Sequence, residues 1–318
     1  MLQQILRDNF SDYGFNIESV ASGPSGAVLN VTWGVRMLRL ALGVLFASVA
    51  TLARAAELET THLFGFTLGS DVNAVGEKEA ESEAFGRFGK STGTYSALSQ
   101  ALGVKFIPVQ NFSIEPVVSV TRFDISGVSG LDDRRQLTYE AASLEMRYRL
   151  LNREQALFGL TVGFDPHWVR VDDTSGAPVD RYGAALLLIA DKELVEKLLF
   201  AAFNFIFEPN STRSRITGVW QRASELGVSA ALSMQIRPGV LIGAEARYMS
   251  SFDGFGIDRF AGNALFVGPT FYAKLSEKFW MSAAWTIQVA GRAVNEIGTL
   301  NLTNFERTHA ILRFGYNF

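Results

Sequence analysis

Ala310-Ile311-Leu312-Arg313-Phe314-Gly315-Tyr316-Asn317-Phe318 closes the chain, and its reading decides the fold. Ala310, Leu312, Phe314, Tyr316 and Phe318 alternate with His309, Ile311, Arg313, Gly315 and Asn317. Successive side chains of a strand point to opposite faces, so this order builds a strand with one aromatic, apolar face. The same period recurs upstream. Phe158, Leu160, Val162 and Phe164 share one side, with Gly159, Thr161, Gly163 and Asp165 on the other. Leu144, Met146 and Tyr148 stand against Glu145, Arg147 and Arg149, and Phe203, Phe205 and Phe207 against Asn204. Phe279, Met281, Ala283, Trp285 and Ile287 oppose Ser282, Ala284, Thr286 and Gln288.

This alternation predicts strands near 60–70, 94–106, 112–124, 136–150, 156–168, 181–191, 196–207, 220–236, 240–250, 262–275, 278–289 and 307–318. Short connections, such as Asn152-Arg153-Glu154 and Arg237-Pro238-Gly239, alternate with longer polar ones. The longest is expected to be an acidic external loop at 72–93. Phe106, Phe112, Tyr148, Phe279, Trp280, Tyr316 and Phe318 collect at the turn ends of these strands. Trp168, Tyr182, Trp220, Tyr248 and Phe260 collect at the loop ends. Two aromatic belts and large apolar residues on an outward face fit a closed sheet in lipid, where every backbone polar group must be paired internally. The expected fold is all-β: a transmembrane, antiparallel, up-and-down barrel of about twelve strands with short periplasmic turns and longer external loops.

Upstream, Met37-Leu38-Arg39 precedes an uncharged run from Leu40 to Leu52, followed by Ala53-Arg54-Ala55. A basic start, an apolar stretch too short to span a bilayer and a small-residue cleavage box read as a secretory signal peptide over 37–55. Residues 1–36 are polar and without clear period; translation is expected to start at Met37, with the preceding stretch disordered and 56–318 forming the barrel.

Composition excludes several functions. A net charge of -3 offers no basic field for nucleic acid. Without cysteine there is no disulfide, thiolate ligand or cysteine nucleophile, and His62, His167 and His309 form no metal-spaced pair. No metal and no cofactor is expected. Asp165-Pro166-His167 with Ser126 or Ser129 offers a weak hydrolase arrangement, but reading His167 and Trp168 as headgroup-level residues asks for less, and no enzyme is expected.

The signal peptide, the succession of strands and the terminal Arg313-Phe314-Gly315-Tyr316-Asn317-Phe318 resemble the bacterial outer-membrane β-barrel superfamily, of porin-like form. The resemblance implies an outer-membrane location and contact with outer-membrane lipids and lipopolysaccharide. It also implies insertion by the barrel assembly machinery, with Tyr316 and Phe318 as the assembly signal. The lumen-facing set expected from alternation is Glu115, Glu145, Arg147, Arg149, Asp165, Glu225, Glu245, Arg247, Lys274 and Arg313. It contains the arrangement E-x-R-Y twice, at Glu145–Tyr148 and Glu245–Tyr248. Inward charges brace neighbouring strands or line a path for ions and small polar solutes. A porin-like passive channel is the expected function. Its alternatives are a non-conducting structural or adhesive barrel, whose 72–93 loop with Phe85, Arg87 and Phe88 would meet a partner, and a lipid-acting enzyme. The oligomeric state is not legible.

Overall fold

Alternating side chains build twelve strands, seen in a computed structural model that describes residues 58–294 and 297–318. The strands are β1 (Lys78–Phe88), β2 (Thr94–Val109), β3 (Phe112–Ser126), β4 (Arg134–Leu151), β5 (Gly159–Val171), β6 (Pro178–Val195), β7 (Leu199–Ser214), β8 (Trp220–Arg237), β9 (Val240–Asp253), β10 (Phe260–Lys274), β11 (Phe279–Ala293) and β12 (Thr308–Asn317). Each pairs antiparallel with its sequence neighbours, and β1 pairs with β12 from Glu79↔Asn317 to Phe88↔Thr308, closing the barrel. Among the described residues no helix is long and apolar enough to cross a membrane. The expected signal peptide at 37–55 and extension at 1–36 lie outside the described residues.

The first expected strand, 60–70, is not part of the barrel, and the expected acidic loop at 72–93 is largely β1. Phe85 and Arg87 are therefore wall residues pointing inward, with Glu79, Glu81 and Glu83. The longest loop end connection is instead 294–307, between β11 and β12.

Residues 58–77 fold into a finger that enters the lumen from the turn end. Its base meets turn-end residues: Arg153 donates to the Leu58 carbonyl at 2.8 Å and pairs with Asp71 at 3.2 Å. Its tip is the bridge Phe64↔Thr67. There the Glu245 carboxylate accepts the Thr67 amide at 2.9 Å and the Phe66 amide at 3.3 Å, while Arg313 donates to the Gly65 carbonyl. Leu58, Leu63 and Phe64 bury their side chains with Phe200, Ala202, Ala231, Leu241, Tyr272 and Trp280. Leu68 does so with Ala185, Leu187 and Ile189. Each such burial stabilises the docked finger by roughly 1.5–3 kcal/mol. Trp280 thus belongs to the interior, and its expected place in the outer aromatic belt is corrected.

At the loop end, the returning 297–307 segment lowers Phe305 onto Phe266 and anchors Asn301, fully buried, through Gln288 and the Asn263 and Arg292 carbonyls. Glu306 fastens it, 3.0 Å from Lys90 Nζ and 3.2 Å from His309 Nε2. Burial opposes ionisation of Glu306, but the His309 hydrogen bond and the charges of Lys90 and Arg87 prevail and lower its pKa from 4.5 to about 2.

Two predictions follow from these anchors. Gly65 has φ +78°, and a Cβ there would lie 2.6 Å from that of Ala284. Gly65→Ala should cost roughly 1–2 kcal/mol and speed hydrogen exchange of the tip amides about tenfold, read by mass spectrometry in detergent. Because the Glu306 pKa is depressed, its contribution to loop closure, roughly 3 kcal/mol, is fully present above pH 4.5 and lost as pH falls through about 2. Trypsin cleavage at Arg307 should therefore stay slow from pH 8 down to its acid working limit, whereas Glu306→Gln should accelerate it at neutral pH.

Candidate functional site

The lumen has two unlike halves. On β6 to β9 the inward positions include Leu187, Ile189, Phe200, Ala202, Ala231 and Leu241, and the finger's apolar side chains settle there. On β12 and β1 to β5 the inward positions carry Arg313, Glu79, Glu81, Glu83, Lys105, Glu115, Glu145, Arg147 and Asp165. The finger meets this second half through polar contacts, such as the Arg313 bond to the Gly65 carbonyl and the Thr161 hydroxyl donating to the Ser70 carbonyl at 2.5 Å, and through Phe66, whose ring meets Phe85 edge-on at 5.6 Å. His62, on the finger, stacks on Trp280 at 4.2 Å and turns Nε2 toward Glu81 at 3.3 Å.

Between the finger and the charged half lies a cavity of about 210 Å³. Five carboxylates line it, from Glu81, Glu83, Glu115, Glu145 and Asp165, against two guanidiniums, Arg147 and Arg313. Arg147 pairs with Glu145 along its own strand at 2.6 Å, and Arg313 with Glu83 at 2.6 Å and Glu81 at 3.5 Å. Just behind, Lys105 Nζ stands 3.7 Å from each of Glu79, Glu81 and Glu115. Gly103 makes this approach possible, since a Cβ there would collide with the Glu115 carboxylate. Formally the lining carries an excess of three negative charges, which favours cations in the space that remains.

His62, Glu79 and Glu81 bring potential ligand atoms within 4.8 Å of one another. The Lys105 ammonium, 3.4 Å from His62 Nε2, already supplies the positive charge at that point.

The structure brings only some of the sequence-predicted lumen residues together. Glu115, Glu145, Arg147, Asp165 and Arg313 meet at the cavity. Glu245 and Arg247 hold the finger tip instead: Arg247 lies over the Phe66 ring at 3.6 Å and donates to His309 Nδ1 at 3.0 Å. The two E-x-R-Y runs therefore do different work, one lining space and the other filling it. Arg149 braces the base of the finger, 2.9 Å from Asn111 Oδ1 and 3.8 Å from Asp71. Lys274 sits at the turn-end rim with Glu277 at 2.9 Å, and Glu225 faces Glu208 in register on β7. Alternation missed Lys105 and the acidic series Glu79, Glu81 and Glu83, although glutamate at every second position from 77 to 83 is itself a period-two signal.

The His167 side chain does not face the headgroups, as the sequence reading expects, but the lumen. It points inward, with Nδ1 3.1 Å from the Asp165 carbonyl and Nε2 3.2 Å from Glu208. The two candidate serines are engaged elsewhere: the Ser126 hydroxyl lies 3.5 Å from Asp133, and the Ser129 amide donates to Thr92 at 2.7 Å.

Solved structures are similar to this chain to different degrees. The COG4313 outer membrane channel from Pseudomonas putida F1 matches with a TM-score of 0.56 at 13% identity, over 78% of this chain and 98% of that one. The NanC porin matches with a TM-score of 0.44 at 10% identity, over 74% and 98%. The translocator domain of the autotransporter NalP from Neisseria meningitidis gives 0.42 at 10% identity, over 91% and 98%. No curated protein matches the sequence. A family model described as a family of unknown function, DUF6662, matches residues 56–318, which takes in every strand of the barrel. The chain folds as a closed antiparallel β-barrel like that of an outer membrane channel, and it belongs to the DUF6662 family.

Proposed function

We propose that this barrel is a narrow passive channel for small cations and small polar solutes, with no catalytic step. The observation that carries the reading is the carboxylate-rich cavity between the finger and the charged half of the wall. Solutes would pass beside the finger, which stays seated on the apolar half. The similar fold of a protein described as an outer membrane channel supports the reading without fixing what passes. Engagement of both His167 nitrogens by Asp165 and Glu208 supports leaving hydrolysis aside.

One observation favours a second reading, a barrel that serves as a structural element. The lumen is occupied from the turn end by the finger and from the loop end by Phe305 and Asn301. Planar-bilayer recordings separate the two. The channel reading expects small, cation-preferring currents, with the triple variant Glu83→Gln/Glu115→Gln/Glu145→Gln lowering the cation-to-anion permeability ratio by roughly tenfold. Deleting residues 58–74 should enlarge the unit current. Current indistinguishable from bare lipid in both the full chain and the deletion would leave the structural reading.

Tyr316 and Phe318 stand exposed on the outward face, stacked 6.3 Å apart, as a recognition signal for assembly would. Removing Phe318 should lower the fraction of heat-modifiable, folded barrel recovered from membranes, while Phe318→Tyr should retain it.

A further inference from the structure

The outward face of β6 to β8 carries a feature that conduction does not use. The loop 254–259 bends outward over the wall, with its Gly256 carbonyl accepting from Ser224 Oγ at 2.8 Å and the Phe255 ring under the Arg222 guanidinium at 5.1 Å. Ser224 and Arg222 alternate with the inward Ser229, Ala231 and Ser233, so the loop lies against the lipid side. Beneath it the outward side chains of Leu186, Leu188, Phe205, Phe207 and Leu226, with Ile257 as a rim, enclose an almost wholly apolar groove of about 550 Å³.

Toward the loop end, Arg213 on β7 and Arg222 on β8 point outward on either side of the exposed Trp220. Trp220 and Tyr182 mark the headgroup level. Arg170 and Arg215 share Asp180, at 3.3 Å and 3.9 Å. Arg213 and Arg222 have no carboxylate within ion-pair distance among the described residues, so their charge is directed at the membrane surface. Along β8, Arg222 stands about 13 Å above Leu226. An interfacial layer is roughly 6 Å deep, so that span starts among headgroups and ends among acyl chains.

We propose that this face binds a multiply phosphorylated, acylated lipid of the outer leaflet, with a phosphate held by Arg213 and Arg222 and one acyl chain in the groove under Ile257. Arginine presents a planar set of donors suited to phosphate oxygens. The loop, by folding outward, turns an ordinary lipid-facing wall into a bounded slot. Charge above and grease below select a ligand with both parts.

Native mass spectrometry of the detergent-solubilised full chain tests this, with bisphosphorylated lipid A, its dephosphorylated form and phosphatidylethanolamine as probes. Bisphosphorylated lipid A should be retained in preference to the other two. Arg213→Ala/Arg222→Ala should weaken that retention about tenfold or more. Ile257→Ser should weaken retention of both lipid A forms, and Arg122→Ala, outward on β3 away from the groove, should change neither. Equal retention of all three lipids, or an equal loss in Arg122→Ala and the double variant, overturns the proposal.

Discussion

An unpaired backbone N–H or C=O has no partner in hydrocarbon and costs several kcal/mol, so the sheet must close on itself. Everything else depends on the seam between β1 and β12. That seam brings Glu83 beside Arg313 and Glu81 within reach of it, so closing the wall also assembles one side of the charged cavity. Closure then creates a second requirement, because a barrel of twelve strands encloses more space than its own inward side chains fill.

The finger answers that requirement, and the two halves of the wall decide how it sits. Leu63, Phe64 and Leu68 find apolar positions on β6 to β11, which leaves the carboxylates and guanidiniums of β12 and β1 to β5 facing open space. Buried charges on that side are tolerable because they are paired: Arg147 with Glu145, Arg313 with Glu83, and Lys105 among three glutamates. Plugging and lining are thus two outcomes of one division of the interior.

Strands β2 to β12 were legible because large apolar side chains recur at every second position on the lipid side. β1 was not. Its outward positions are Ala80, Ser82, Ala84 and Gly86, too small or polar to register as a greasy face, while its inward positions carry the charges. The finger reads as a strand because Leu63, Phe64, Phe66 and Leu68 are apolar, so one false strand stands in for one hidden strand. Inward charge was readable wherever parity held. A bulge at Ser119/Val120 shifts parity within β4, so Glu140 and Glu145 both point inward, which strict alternation cannot foresee. Lys105 lay hidden in the run Leu102-Gly103-Val104-Lys105-Phe106, and Trp280 was read with its neighbour Phe279 although the two face opposite ways. What each half of the lumen does could not be read at all, since it depends on a finger whose docking is a property of the folded wall.

The division of the lumen is open to direct measurement, because the chain has no native cysteine. Single cysteines at Ala101 and Val117 would line the cavity, and at Ala202 and Ala231 they would lie under the finger. A small, charged methanethiosulfonate reagent applied to the reconstituted barrel should modify the first pair rapidly and leave the second pair unreacted. Equal reaction at all four positions, or reaction confined to 202 and 231, would contradict a finger seated on the apolar half with the polar path beside it.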